Sequence, residues 1–194
     1  MISIDQIKSL REKTGISMIE CKKALEEANG DENKAIEILK KKGIEVAEKK
    51  SGRETKQGIV EAYIHSNRKM GALVEVYCET DFVAKNSQFK ELAHNLAMHI
   101  TAMNPLYLSE KEIPEKVIAE EKELLYSQFK DSGKPEKVIE QIVEGKLKKQ
   151  HEQICLLSQP FIKNPDITIK QLIDEYIAKL GENIRIGKFV RFEI

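Results

Sequence analysis

The strongest constraint on what this chain can fold into is the helix punctuation crowded into its front end. Ser3 with Gln6 forms an S-x-x-Q capping box flanked by Ile2 and Ile7 as a hydrophobic staple, and Thr14-Gly15 supplies a stop. Ser17 with Glu20 repeats the box, and the stripe Cys21, Ala24, Leu25 and Ala28 runs to Asn29-Gly30. Asp31 caps a third helix with Ala35, Ile38 and Leu39 inward and Gly43 as its terminator. Three short helices with tight joints predict a small bundle, too small for a large core and suited to docking. Met18 falls in the buried stripe, whereas Ile19 shares its face with Lys22, Lys23 and Glu26. Ile19 is therefore a candidate contact, beside the plainer reading of a lone exposed aliphatic without a role.

From Ala47 to Gly58 the chain is almost wholly polar and reads as a solvated connector, which sets a first domain at 1–47, a linker at 48–57 and a core domain at 58–194. Beyond the linker the period becomes two. Val60, Ala62 and Ile64 alternate with Glu61, Tyr63 and His65, and after a polar turn Ala72, Val74, Val76 and Cys78 alternate with Glu75, Tyr77 and Glu79. A third alternating run places Ile184, Ile186, Val190, Phe192 and Ile194 on one parity, with Lys188 out of place. The fold class is α+β: a three-helix front end, then a three-stranded antiparallel sheet packed by helices.

After the second strand comes Thr80-Asp81-Phe82-Val83-Ala84-Lys85-Asn86, followed by a helix with Phe89, Leu92, Ala93, Leu96 and Ile100 on its buried side. A helix already running through Phe82 would set Lys85 and Asn86 beside the ring, and neither helps bury it. Asn86 or Ser87 is the better cap, so Phe82 is expected on a tight turn with Asp81 next to it. Two roles fit the ring: a staple folded back on the turn, or an anchor offered to a partner. Further along, Ile113-Pro114 and Lys134-Pro135 mark helix starts. Thr168 with Gln171 forms another capping box with Ile167 and Leu172 as staple, and Gly181 ends that helix.

The stretch ETDFVAKN from Glu79 to Asn86 resembles the signature of the elongation factor Ts family. So do LREKTGISMIECKKALEEANGD from Leu10 and SGKPEKVIEQIVEGKLKK from Ser132 to Lys149, and Leu157-Ser158-Gln159-Pro160-Phe161 continues the likeness. The resemblance implies a ubiquitin-associated (UBA)-like front domain and a guanine-nucleotide exchange factor that binds elongation factor Tu, whether GDP-loaded or nucleotide-free. It implies that Phe82, flanked by Thr80, Asp81 and Val83, intrudes near the partner's magnesium site, so that GDP loses counter-ion and backbone donors. It also implies that Arg11, Met18, Ile19 and Lys22 grip the same partner and that His99 lies close to the intruding tip, although a helix-edge histidine bonded within the core reads equally well. The helix after the TDFV stretch runs directly to Thr101-Ala102-Met103-Asn104-Pro105, as in the short form of the family, which implies a homodimer paired through the core sheet and a 2:2 complex.

Other classes fit less well. Cys78 has buried parity, His94 and His99 are five apart and do not stack as a metal pair, and no phosphate-loop or dinucleotide glycine pattern occurs, so no enzyme activity or cofactor is expected. A small RNA-binding or scaffold module is the rival, but 32 Lys plus Arg balance 32 Asp plus Glu and aromatic stacking motifs are missing. The Lys40-Lys41-Lys42 run suits a helix end better than an RNA patch. Three cysteines without CxxC spacing and a start that lacks a signal-like apolar run point to the cytoplasm, with no membrane or nucleic-acid partner.

Overall fold

In the computed structural model, which describes residues 2–129 and 135–194, the front-end caps form as their sequences dictate. Helix α1 (Ile4–Thr14) carries the full reciprocal box between Ser3 and Gln6 and stops at Gly15 with φ 70°. Helix α2 (Met18–Glu27) is capped by the Ser17 side chain, which accepts from the Glu20 N–H; the Glu20 carboxylate turns instead to Lys23 at 2.9 Å. Asp31 caps α3 (Glu32–Lys50). Ile7, Leu10, Cys21, Ala24, Leu25, Ala35 and Leu39 form a buried apolar core among the three helices.

The third helix corrects one expectation. It does not stop at Gly43 but continues to Lys50, because Gly43 is buried where a Cβ would lie 3.6 Å from the Ala178 methyl, and Ala47 is buried one turn on. Residues 48–50 are therefore helical. Lys40, Lys41 and Lys42 sit mid-helix, with Lys42 paired to Glu27 at 2.7 Å.

Strands β1 (Gln57–Ile64), β2 (Met70–Cys78) and β5 (Arg185–Glu193) make an antiparallel sheet in the order β1-β2-β5. Ala72, Val74, Val76 and Cys78 point into the core as expected. On β1 the phase is reversed, since Tyr63 pairs with Ala72 and Glu61 with Val74; this sends Val60, Ala62 and Ile64 to the outer face. On β5 the parity flips midway. Val76 pairs with Ile186 but Val74 pairs with Phe189, so one extra residue bulges out around Gly187 and Lys188. A Cβ on Gly187 would lie 2.5 Å from Tyr77 Cε2, and the Lys188 N–H donates to Glu75 at 3.0 Å. That backbone donor holds the Glu75 carboxyl below its usual range. Beyond the bulge, Val190, Phe192 and Ile194 face outward rather than sharing the core with Ile184 and Ile186.

The chain divides into two compact units, residues 1–98 with 171–194, and residues 99–170. In the first, α5 (Ser87–Met103) buries Phe89, Leu92, Ala93, Leu96 and Ala97, and its His94 lies 3.3 Å from Glu61 of β1. Helix α8 (Ile169–Leu180) buries Leu172, Ile173, Tyr176 and Ile177 and ends at Gly181 with φ 75°. The second unit begins at His99, within α5. It contains a hairpin of α6 (Glu115–Phe129) and α7 (Glu136–Ile154), and the small pair β3 (Pro160–Phe161) with β4 (Asn164–Thr168). Pro114 and Pro135 directly precede α6 and α7; Lys134, like the start of the Ser132–Lys149 motif, lies outside the described residues. Among the described residues no helix is long and apolar enough to cross a membrane.

Candidate functional site

The sheet's central strand delivers the TDFV segment to a corner. After Cys78 the backbone leaves β2, and residues Asp81–Lys85 form a single-turn helix, α4. This replaces the expected tight turn. Thr80 is its N-cap, accepting from the Val83 N–H through Oγ1 at 3.4 Å, while Ala84 anchors the turn in the core. Asn86 breaks the helix at ψ 137° and caps α5 as expected, its Oδ1 accepting from the Gln88 N–H at 2.8 Å. On this one-turn helix, little of Phe82 is covered by its own chain. It is 82% exposed, against 0% for Phe89 seven residues on. Of the two roles the sequence allowed, the folded-back staple does not occur.

The tip is charged on one side and tethered beneath. Asp81 pairs with Lys85 at 2.8 Å, and that hydrogen bond holds its carboxyl below the usual range. Under the tip, Glu182, between α8 and β5, accepts from the Glu79 and Thr80 N–H groups at 3.0 Å each, and from the Thr80 hydroxyl at 2.6 Å. Glu79 answers by accepting from the Asn183 N–H at 2.6 Å, and its other oxygen lies 3.5 Å from Arg53. Asn183 Nδ2 donates to the Arg53 carbonyl at 2.8 Å. Sequence reading missed this cluster. Glu182 and Glu79 are 103 residues apart, and no local pattern links them.

The buried Cys78 thiol donates to the Thr80 carbonyl at 3.2 Å, and its pKa is pushed up to about 11 by burial and then by the Glu182 charge. Such a thiol is a poor nucleophile. Among the described residues no group of three or more His, Cys, Asp or Glu side chains is arranged to hold a metal ion.

The remaining expected residues fall in different settings. Arg11, Ile19 and Lys22 are exposed on the front helices, Ile19 at 67%, whereas Met18 is half-buried against the three-helix core. Lys22 pairs loosely with Glu26 at 3.7 Å. His99 belongs to the second unit and is fully buried. Its Nδ1 accepts from the Ile162 N–H at 3.3 Å, which leaves Nε2 protonated to donate to Gln159 Oε1 at 2.9 Å. Burial holds its pKa below the usual histidine value, with the Gln159 bond acting weakly the other way. The core-bonded histidine is the arrangement observed.

The family profile described as elongation factor TS matches residues 6–194. The elongation factor Ts of Carboxydothermus hydrogenoformans is 55% identical over 194 residues, covering 100% of this chain and 89% of that protein. That of Thermotoga maritima is 56% identical over 193 residues, covering 100% of this chain and 96% of its own. That of Moorella thermoacetica is 53% identical over 194 residues, with coverage of 100% and 96%. A full-length match at this identity, together with the TDFV corner that the fold exposes, shows that the chain belongs to the elongation factor Ts family.

Proposed function

We propose that this chain carries out the family's role, guanine-nucleotide exchange on elongation factor Tu, by pressing the Phe82 ring into the partner's nucleotide domain. The observation that carries the reading is an aromatic side chain, 82% exposed, on a corner whose backbone is held by cap, anchor and carboxylate. A ring left in water keeps its apolar area available for burial against another surface, and aromatic anchors on rigid supports are common binding hot spots. Thr80, Asp81 and Val83 complete the tip. The intrusion disturbs the partner's magnesium and phosphate-binding loop, so GDP dissociates.

Factor and nucleotide then bind the same GTPase with negative coupling, each weakening the other by the same factor. The factor does not select the final nucleotide; it lowers the barrier to release, and the more abundant GTP refills the site. No bond is made or broken by the factor, and it needs no cofactor. The three front helices, which end at Lys50 rather than at residue 47, serve as a UBA-like docking module through Arg11, Ile19 and Lys22, with Met18 half-buried against their core. His99 is too deep to touch a partner and contributes by holding Gln159 and the Ile162 backbone. The setting is the cytoplasm, where translation runs.

The outer sheet face supports a homodimer and a 2:2 complex. Among the described residues, one face of the sheet is buried through Ala72, Val74, Val76 and Cys78. The other exposes Val60 at 66%, Ile64 at 71%, Phe192 at 65% and Ile194 at 94%, with Leu73 and Val190 between them. A second copy laid across this face would make a two-sheet sandwich, the ordinary way for an apolar sheet face to leave water. Release of fluorescent GDP from elongation factor Tu, with this chain in catalytic amounts, tests the central claim. Acceleration by the intact chain is expected, and its absence would reject the reading.

A further inference from the structure

We infer that Glu182 is a positioning residue for exchange, one carboxylate that aims the Phe82 tip; this rests on the tip being the exchange element. The exposed ring gets little orientation from packing against its own chain. Its direction is therefore set by the backbone from Cys78 to Ala84. At the far end Ala84 is buried. At the near end stands Glu182, whose Oε2 takes the N–H groups of both Glu79 and Thr80 and whose Oε1 takes the Thr80 hydroxyl proton at 2.6 Å.

The last bond matters most. A hydroxyl has one proton and two lone pairs. By drawing the Thr80 proton toward itself, Glu182 leaves a lone pair of the same oxygen facing the Val83 N–H, the bond that starts α4. One carboxylate thus orients the cap of the turn that carries Phe82, and ionised acceptors make the stronger hydrogen bonds. Glu182 is itself braced. It follows Gly181, whose carbonyl accepts from Lys50 Nζ, and it precedes Asn183, whose N–H donates to Glu79 at 2.6 Å. The turn between α8 and β5 and the exit of β2 hold each other reciprocally. A tip fixed before encounter loses less conformational entropy on docking, which is the advantage of preorganisation.

The test uses the intact chain and four variants, E182A, E182Q, F82A and the double E182A/F82A, with two readouts. In hydrogen–deuterium exchange on the free protein, the Glu79 and Thr80 amides should exchange at least about 10-fold faster in E182A, and less so in E182Q, which keeps one acceptor oxygen. In GDP release from elongation factor Tu, E182A should lower the rate at limiting concentration roughly 10-fold, with E182Q intermediate and E182A/F82A no slower than F82A alone. Equal slowing by E182A with and without Phe82 would mean that it acts through general stability, and would overturn the inference. So would unchanged amide exchange, or exchange activity equal to that of the intact chain. Failure of the intact chain to release GDP would instead overturn the proposed function and with it the inference's link to exchange.

Discussion

Truncating Phe82 to Ala separates a docking role from a folding role, because the ring touches so little of its own protein. Fully burying a Phe side chain stabilises by about 1.5–3 kcal/mol. With 82% of the residue in water in the free chain, nearly all of that gain is still available on docking: scaling the range gives roughly 1.2–2.5 kcal/mol. In rate terms this is roughly 8- to 70-fold. In a stopped-flow GDP-release assay below saturation, Phe82→Ala should therefore slow exchange by that factor. In the folded chain the same change removes almost no buried area and puts a better helix former into α4, so stability should move by no more than about 0.5 kcal/mol. Thermal unfolding on the same samples supplies the control. Exchange within about twofold of the intact chain would refute the reasoning, as would a large fall in melting temperature, which would place the ring inside the fold.

Three further outcomes follow from the geometry. Gly43→Ala should raise stability by up to about 1 kcal/mol in urea unfolding, since the site is mid-helix and its Cβ would meet Ala178 at 3.6 Å, an ordinary contact. His99 is held neutral by burial, so the unfolded chain takes up a proton that the folded chain resists. Stability should be fully present above about pH 6.5 and fall as pH drops below it, by at most about 1.4 kcal/mol per pH unit, and His99→Gln should flatten that slope. Phe192→Glu on the outer sheet face should leave the fold intact and shift sedimentation velocity from dimer to monomer; an unchanged dimer would reject the sheet-face pairing.

Local chemistry wrote itself into the sequence wherever one turn of chain was enough to satisfy it. Ser3, Ser17 and Asp31 start their helices because their side chains reach N–H groups three residues on, and Gly15 and Gly181 stop theirs because they accept positive φ. The alternation of β2 gave its buried face correctly, as the central strand must pack against the helices. Alternation could not give the phase of β1, where pairing with β2 sets Glu61 and Tyr63 inward and leaves Val60 and Ile64 in water. Nor could it reveal the bulge at Gly187 and Lys188, which depends on Glu75 and Tyr77 across the sheet. Gly43 read as a stop for the same reason: its meaning lay in Ala178, a helix far along the chain.

The motif around Phe82 was fully legible, but its exposure was not. A single-turn helix and a carboxylate from residue 182 place the ring outside, and both depend on segments brought together only by folding. Sequence determined where Ser3, Ser17 and Asp31 start their helices, where Gly15 and Gly181 stop theirs and which face of β2 is buried, because capping, glycine conformation and periodicity act within a few residues. Tertiary structure decided which faces meet water and where the tip points, because burial and long-range hydrogen bonds are properties of what packs alongside.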